Sequence, residues 1–198
     1  MPDSLAPEVV EPLLRGRFGR PYRYAEVTPS TQRLLRTDDP EGAVAVAEEQ
    51  TAGRGRLGRS WHAPPRTSVL LSVALNPPVP PARLPELSLV AGEAVAAAIA
   101  TQTRVAATIK HPNDVLVGGR KVAGVLAESS EGRVVLGIGV NANQTEDELP
   151  QKAQTPPTSL RLEAGRVVDR AALLAELLIR VERGYDAWIA DVAAGGAV

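Results

Sequence analysis

Apolar and polar positions along this chain recur at two different periods, and each change of period marks an element. Pro7 to Arg17 carries Val9, Val10, Leu13 and Leu14 on one helical face. Tyr22 to Val27 reads as extended, and Pro29-Ser30-Thr31 opens a short helix through Leu34 and Leu35. Ala43 to Ala47 is an apolar strand that runs into a polar Gly/Arg-rich segment, Glu48 to Ser60. Ser68 to Leu75 is a strand stopped by Asn76-Pro77-Pro78, and Leu84 to Thr101 is an Ala-rich central helix. Val105 to Ile109 is a strand broken by Lys110-His111-Pro112-Asn113. Val115–Val117 and Lys121–Glu128 flank Gly118-Gly119, a hairpin turn because both glycines tolerate positive φ. Arg133 to Val140 pairs back across Ser129 to Gly132. A loop with Pro150, Pro156 and Pro157 follows, and then Asp169 caps a helix to about Ile189 whose apolar side carries Leu173, Leu174, Leu177, Leu178 and Val181. Tight hairpins mixed with a few helices predict an α+β fold, a mixed and largely antiparallel sheet flanked by helices, rather than a βαβ alternation.

Composition narrows the picture. At 198 residues the chain suits one domain, expected over 1–198 with 191–198 as a tail. Aromatics are only 3%, so Val, Leu, Ile and Ala must fill the core. A net charge of -1 gives no global field for nucleic acid or an anionic membrane, so any anion must meet locally clustered cations. The absence of Cys excludes disulfides and thiolate zinc sites. Neither a signal-peptide pattern nor a bilayer-length apolar run is evident, Leu87 to Ala100 being too short and interrupted by Glu93; a cytoplasmic protein is expected.

Gly53-Arg54-Gly55-Arg56-Leu57-Gly58 fits the dinucleotide pattern G-x-G-x-x-G by letter. That pattern needs a helix to begin there, and Arg59-Ser60-Trp61-His62-Ala63-Pro64-Pro65 cannot continue as one. A P-loop fails too, since no Gly-Lys-Ser/Thr closes the segment. What remains is a loop on glycine hinges that carries Arg54, Arg56 and Arg59, whose guanidinium forks suit phosphate or carboxylate.

Glu49 to Trp61 closely resembles the biotin-binding loop of biotin protein ligases. Lys110-His111-Pro112-Asn113-Asp114 is similar to that family's Lys-Trp-Pro-Asn-Asp motif, with His111 in place of Trp. Arg120 to Glu128 resembles its Arg-Lys-(apolar)-Ala-Gly-Ile-Leu-(apolar)-Glu strand, and Gly137-Ile138-Gly139-Val140-Asn141 its Gly-Ile-Gly-Ile-Asn. The motifs stand in family order across residues 27–190. The resemblance implies the fold shared by biotin ligases and class II aminoacyl-tRNA synthetases. It implies an enzyme that makes biotinyl-5′-AMP from biotin and ATP with Mg2+, then passes biotin to a lysine of the biotin carboxyl carrier protein of a carboxylase.

The same resemblance assigns roles. Lys121 and Arg56 are the expected catalytic cations. Ser30, Thr31, Gln50, Gly53, Arg54, Arg56, Trp61, Lys121 and Gly124 are expected around biotin. Arg54, Arg56, Lys110, Asn113, Asp114, Lys121 and Asn141 are expected around the nucleotide, with Asp114 as candidate magnesium ligand. Gln32 departs from the family's Ser-Thr-Asn. Each residue also has a plainer reading: Ser30 and Thr31 suit a helix N-cap, Pro112-Asn113-Asp114 suits a turn, and Lys121 suits a surface near a hairpin. About twenty residues before Tyr22 are too few for a DNA-reading domain, and the family's small C-terminal β-barrel is not expected here, so neither DNA nor membrane is an expected partner, while a homodimer remains open. Two alternatives stand beside the ligase: a lipoate or octanoate ligase on the same fold, and a non-catalytic biotin sensor.

Overall fold

The computed structural model describes residues 3–130 and 132–195. Seven strands form one sheet: β1 Tyr22–Thr28, β2 Val44–Gln50, β3 Ser68–Leu75, β4 Thr108–Lys110, β5 Asp114–Val117, β6 Arg120–Ser130 and β7 Arg133–Asn141. Four α-helices accompany them: α1 Pro7–Val10, α2 Leu87–Thr103, α3 Leu160–Ala164 and α4 Arg170–Ala193. The strand order is β1-β2-β3-β7-β6-β5-β4, with only β1 and β2 parallel. The mixed, mainly antiparallel sheet with helices is therefore as the sequence predicts.

Central β3 is buried along all eight residues, and its alternation sorts two environments. Val69, Leu71, Val73 and Leu75 join the core with Val134, Leu136, Ile138 and Val140 of β7 and with α2 and α4. Ser72 belongs to the opposite set, as do Gly137 and Gly139 of β7, and there the functional cavity opens. Asp169 accepts a hydrogen bond from the Ala172 amide at 2.9 Å, the cap that starts α4. Gly118 and Gly119 have φ of 56° and 78°, as the hairpin requires.

Several boundaries differ from the sequence expectation for physical reasons. The first helix is one turn, continued by a 3-10 turn over Glu11–Leu13, because Pro12 lacks the amide that an α-helix needs. The segment after Pro29 is only a 3-10 turn, Thr31–Arg33. β2 extends through Gln50, so Glu48 is a buried strand residue and not part of the polar loop. Strand β4 begins three residues later than expected, although Val105 and Ala107 still pack on the core. Helix α3, absent from the sequence reading, is capped by Ser159 and ends at Gly165 with φ 67°. Residues 81–103 form a continuous helical run that passes for a membrane span by length and composition, longer than the segment the sequence suggested. Ala91, Val95, Ala98 and Ile99 of this run nevertheless pack into the core. Helix α4 takes in part of the expected tail, while residues 196–198 and Glu131 of the β6–β7 turn lie outside the described residues.

Buried Asp39 ties the segment that follows the Thr31–Arg33 turn to strand β1. Its carboxylate accepts from Arg23 Nε at 2.8 Å and from the Arg36 amide at 2.7 Å. The bonded Arg23 guanidinium holds the Asp39 carboxyl down at about 2. An unfolded aspartate titrates near 3.9 (about that in peptides), so this stabilisation is present above pH ~4 and is lost as pH falls toward 2. Asp39→Asn is expected to lower stability at pH 7 and to flatten the pH dependence between about 4 and 2. Denaturant titrations at pH 7, 4 and 2.5 check it; parallel acid slopes for parent and variant would remove Asp39 from the acid limb.

Candidate active site

A cavity of about 540 Å³ opens on the face of the sheet away from α2 and α4, within the size range of small-molecule sites. One wall is neutral and polar. Gln50 Oε1, at the end of β2, accepts from the Thr31 amide at 2.8 Å and from Thr31 Oγ1 at 3.1 Å. Thr31 Oγ1 also lies 2.8 Å from Ser72 Oγ of β3. Ser30 stands at the N-cap position of the 3-10 turn, yet its side chain makes no capping bond, so the plain N-cap reading does not hold. Together these groups give neutral donors and acceptors at one end of a dent whose remaining lining is both apolar and charged.

The floor of that dent is the cross-strand pair Gly124↔Gly139. The Trp61 ring lies against it: a Cβ on Gly139 would meet Trp61 Cε2 at 2.6 Å, and one on Gly124 would meet Cζ3 at 3.0 Å. Glycine is needed at both positions because the indole occupies the space of a side chain. Trp61 Nε1 is buried without a hydrogen-bond partner among the described residues, a state that costs about 1–3 kcal/mol.

Lys121 reaches this site through a local irregularity. By simple alternation it would share a face with Ala123 and Val125, both in the core. Leu116 pairs with Lys121 while Val115 pairs with Ala123, so Val122 is an extra residue, a β-bulge. Val122 and Ala123 both turn into the core, and Lys121 moves to the cavity face with Gly124. Its ammonium lies 2.7 Å from Asp114 Oδ1 and 5.6 Å from the centre of the Trp61 ring. The contact to Asp114 is an ion pair.

The arginine segment arches over the cavity, joined at its base by the Arg54↔Ser60 bridge. At its tip Leu57 has φ 58° and is 90% exposed, a left-handed conformation that costs an L-residue about 1–2 kcal/mol. Arg56 is half-buried, lines the cavity, and has no side-chain partner among the described residues. Arg54 is drawn to the rim by an ion pair with Glu128 and a weak bond to Gln32. Arg59 donates to Gln154 at 3.3 Å across the mouth.

Of the residues expected from sequence, Ser30, Thr31, Gln50, Arg54, Arg56, Trp61, Asn113, Asp114, Lys121, Gly124 and Asn141 line one cavity. Two, Gly53 and Lys110, stand outside that lining. Gly53 lies behind the wall, where a Cβ would collide with the Trp61 carbonyl; it permits the Trp61 amide to bond Gly53 O at 2.9 Å. Lys110 is exposed on edge strand β4 and donates from Nζ to Thr155 Oγ1 at 2.9 Å. Asn113 and Asn141 line the cavity while their amides hold the frame, Asn113 donating to Val125 O and Asn141 to Thr158 O. Sequence reasoning gave no role to Ser72, Gly139 or Lys152. Ser72 carried a signal, a serine inside the apolar run Ser68–Leu75. Lys152 carried none.

Asp114 is the only carboxylate lining the cavity, and no group of three or more His, Asp or Glu is placed to hold a metal among the described residues. A single carboxylate fits Mg2+ of the kind that keeps several waters and is bound chiefly by phosphates.

Comparison with known proteins shows the family. The model of the biotin/lipoate A/B protein ligase family matches residues 24–144. The Bacillus subtilis bifunctional ligase/repressor BirA is 38% identical over 177 residues, 85% of this chain but 54% of that protein. The chain thus spans about half the length of such relatives. The biotin–[acetyl-CoA-carboxylase] ligase of Mycobacterium tuberculosis is 36% identical over 201 residues, covering 94% of this chain and 74% of the relative. The structure of Aquifex aeolicus biotin protein ligase in complex with biotin and ATP superposes with a TM-score of 0.75 at 34% identity, covering 84% of this chain and 72% of that one.

Proposed function

Since this chain belongs to the biotin/lipoate A/B protein ligase family, we propose that it is an ATP-dependent biotin protein ligase. The observation that carries this reading is the meeting, in one cavity, of a neutral polar wall with a bulge-aimed lysine under an arginine flap. The wall of Ser30, Thr31, Gln50 and Ser72 suits the ureido ring of biotin, which a purely apolar lipoyl head would leave unmatched. Trp61 covers the apolar part of the bicycle. Lys121 and Arg56 receive the carboxylate and the α-phosphate.

In the first step a biotin carboxylate oxygen attacks the α-phosphorus of ATP. The bond from that phosphorus to the bridging oxygen breaks, and pyrophosphate leaves with the electron pair. Two anions ~4 Å apart repel by about 1 kcal/mol in water and about 4 kcal/mol at an effective dielectric of 20, so cations in a closed site are what the step requires. In the second step the neutral amine of an acceptor lysine attacks the acyl carbon of biotinyl-5′-AMP, AMP departs, and the amine proton passes to solvent. The acceptor we infer is a biotin carboxyl carrier protein, as the name of the Mycobacterium relative suggests. Asp114 would hold Mg2+ beside the phosphates, where the ion would offset their charge. A flap that orders over the ligand keeps water from the mixed anhydride.

The test is an incubation of the protein with biotin, MgATP and a carrier domain, read by mass spectrometry. Biotinyl-AMP and a biotinylated carrier are the expected products. Calorimetry with biotin and with lipoate separates the rivals: tighter binding of lipoate would assign the cavity to a lipoate ligase. Biotin bound without adenylate would make the chain a sensor.

A further inference from the structure

The neutral wall of the cavity holds two hydroxyls whose hydrogens can be placed by counting. A backbone amide only donates, so the Gln50 atom that faces the Thr31 amide at 2.8 Å is the carbonyl oxygen, and the side-chain amide has one orientation. That oxygen cannot donate, so the 3.1 Å contact from Thr31 Oγ1 spends the single hydroxyl hydrogen of Thr31 on Gln50. The 2.8 Å contact between Thr31 Oγ1 and Ser72 Oγ is then left with Ser72 as its donor. The chain runs one way: Ser72 donates to Thr31, and Thr31 donates to Gln50.

We propose that Ser72 is a positioning residue for the substrate: it fixes this polarity, so that the wall presents an acceptor at Thr31 beside a donor at Gln50 and selects a cyclic urea. The assignment rests on the reading of this cavity as a biotin site.

Ser72 is placed to do this. Its backbone lies in the middle of β3, paired with Ala45 of β2 on one side and with Gly137 of β7 on the other. Its side chain is buried, and Thr31 is the only hydrogen-bond partner of its Oγ among the described residues, so its hydrogen has no competing acceptor there. Gly137 keeps the space across the strands open, since a Cβ at that position would stand 3.8 Å from Ser72 Oγ. A hydroxyl buried between the core residues Leu71 and Val73 is costly unless it is bonded, and the contact to Thr31 offsets that cost.

The polarity decides what a ligand must offer. Of the two lone pairs on Thr31 Oγ1, Ser72 occupies one and leaves the other as an acceptor. Gln50 Oε1 already takes two donors from Thr31, while its Nε2 bonds nothing among the described residues and is left as a donor. Thr31 and Gln50 both line the cavity. A ligand that meets both needs an N–H next to a C=O, which a cyclic urea carries and a dithiolane or alkyl head does not. Without the Ser72 hydroxyl, the Thr31 hydrogen is free to swing into the cavity, where it would oppose the ligand N–H.

Calorimetry with biotin and with dethiobiotin, which share the cyclic urea and differ in the sulfur ring, tests this in Ser72→Ala and Ser72→Cys. In Ser72→Ala both ligands are expected to bind about ten-fold more weakly, the worth of one buried hydrogen bond, and by the same factor. KM for ATP in adenylate formation is expected within about two-fold of the parent, a split that a general distortion of the cavity would not give. Ser72→Cys, whose thiol is a weaker donor of similar shape, should fall between parent and Ser72→Ala, and it carries the comparison if the alanine variant does not fold. Parental biotin affinity in Ser72→Ala overturns the proposal, as does a loss that differs between the two ligands or that is matched by a rise in KM for ATP. A parent that binds neither ligand overturns the ligase reading, and the role of Ser72 with it.

Discussion

Lys121→Ala is expected to slow biotinyl-AMP formation by about 10²–10³-fold, the range seen when one preorganised charge-stabilising group is removed from an active site. The lysine is fixed by strand β6, by a bulge, and by backbone bonds to the 150–157 loop, so its ammonium needs no reorganisation as charge builds between carboxylate and phosphate. Folding should survive: the side chain is 23% exposed, and its loss leaves Asp114 without its cation at the edge of a cavity that water can enter. Lys121→Arg should not restore the rate, because a planar fork cannot occupy the place of a compact ammonium 2.7 Å from Asp114 and beneath Trp61. Single-turnover adenylate formation, together with biotin affinity and thermal unfolding, is the measurement. Unchanged turnover in Lys121→Ala would take this residue out of the chemistry, and a collapsed melting transition would reassign it to the fold.

The bulge that serves Lys121 also marks what the sequence could and could not convey. Strands β3 and β7 were legible because their apolar runs are bounded by turn residues and packed on both sides. The flap was legible because glycine and arginine repeat where no helix can follow. The plain reading of Lys121 is a surface lysine near a hairpin, and the resemblance expects it in the site. Strict alternation with Ala123 and Val125 would turn it to the core; the extra residue at Val122 that brings it to the cavity face is not readable from the sequence. Two features depend on partners distant in sequence and left no local trace. Glu48 reads as the start of a polar loop until Arg170 meets it, and Gly53 reads as a ligand hinge until Trp61 passes over it. Lys110 lies outside the cavity lining. It stands directly across the hairpin from Asp114 on edge strand β4, but its exposed ammonium is turned to Thr155 Oγ1 rather than into the cavity lining.

Glu48→Gln is expected to destabilise the protein by about 3 kcal/mol, the lower end of the cost of breaking a buried ion pair, because Asp3 still faces the Arg170 guanidinium. Arg170, the first residue of α4, has a side chain that is 0% exposed, and Nη1 donates to Glu48 Oε2 at 2.6 Å and to Ser68 O at 3.0 Å. Its Nε reaches Asp3 at 2.8 Å, while Glu48 Oε1 accepts from the Leu5 amide at 2.7 Å. One pair therefore ties β2, β3, α4 and the N-terminal segment together. Against a total stability of about 5–15 kcal/mol for an ordinary domain, its disruption would remove a large share of the folding margin. The ion pair itself need not be stabilising, since a hydrophobic replacement of both partners can be neutral or better. Glu48→Leu combined with Arg170→Met should thus recover most of the stability that either single change removes, with a large coupling energy in the double-mutant cycle. The functional consequence follows from position. Glu48 lies two residues before Gln50 on the strand that leads into the flap, so Glu48→Gln should weaken biotin binding in step with stability, while the apolar pair should leave it intact. Denaturant titration and biotin calorimetry on the three variants decide the matter: additive single effects would show that Glu48 and Arg170 act separately, and weak biotin binding in a stable double variant would mean that the charge pair reaches the pocket by a route other than the strand.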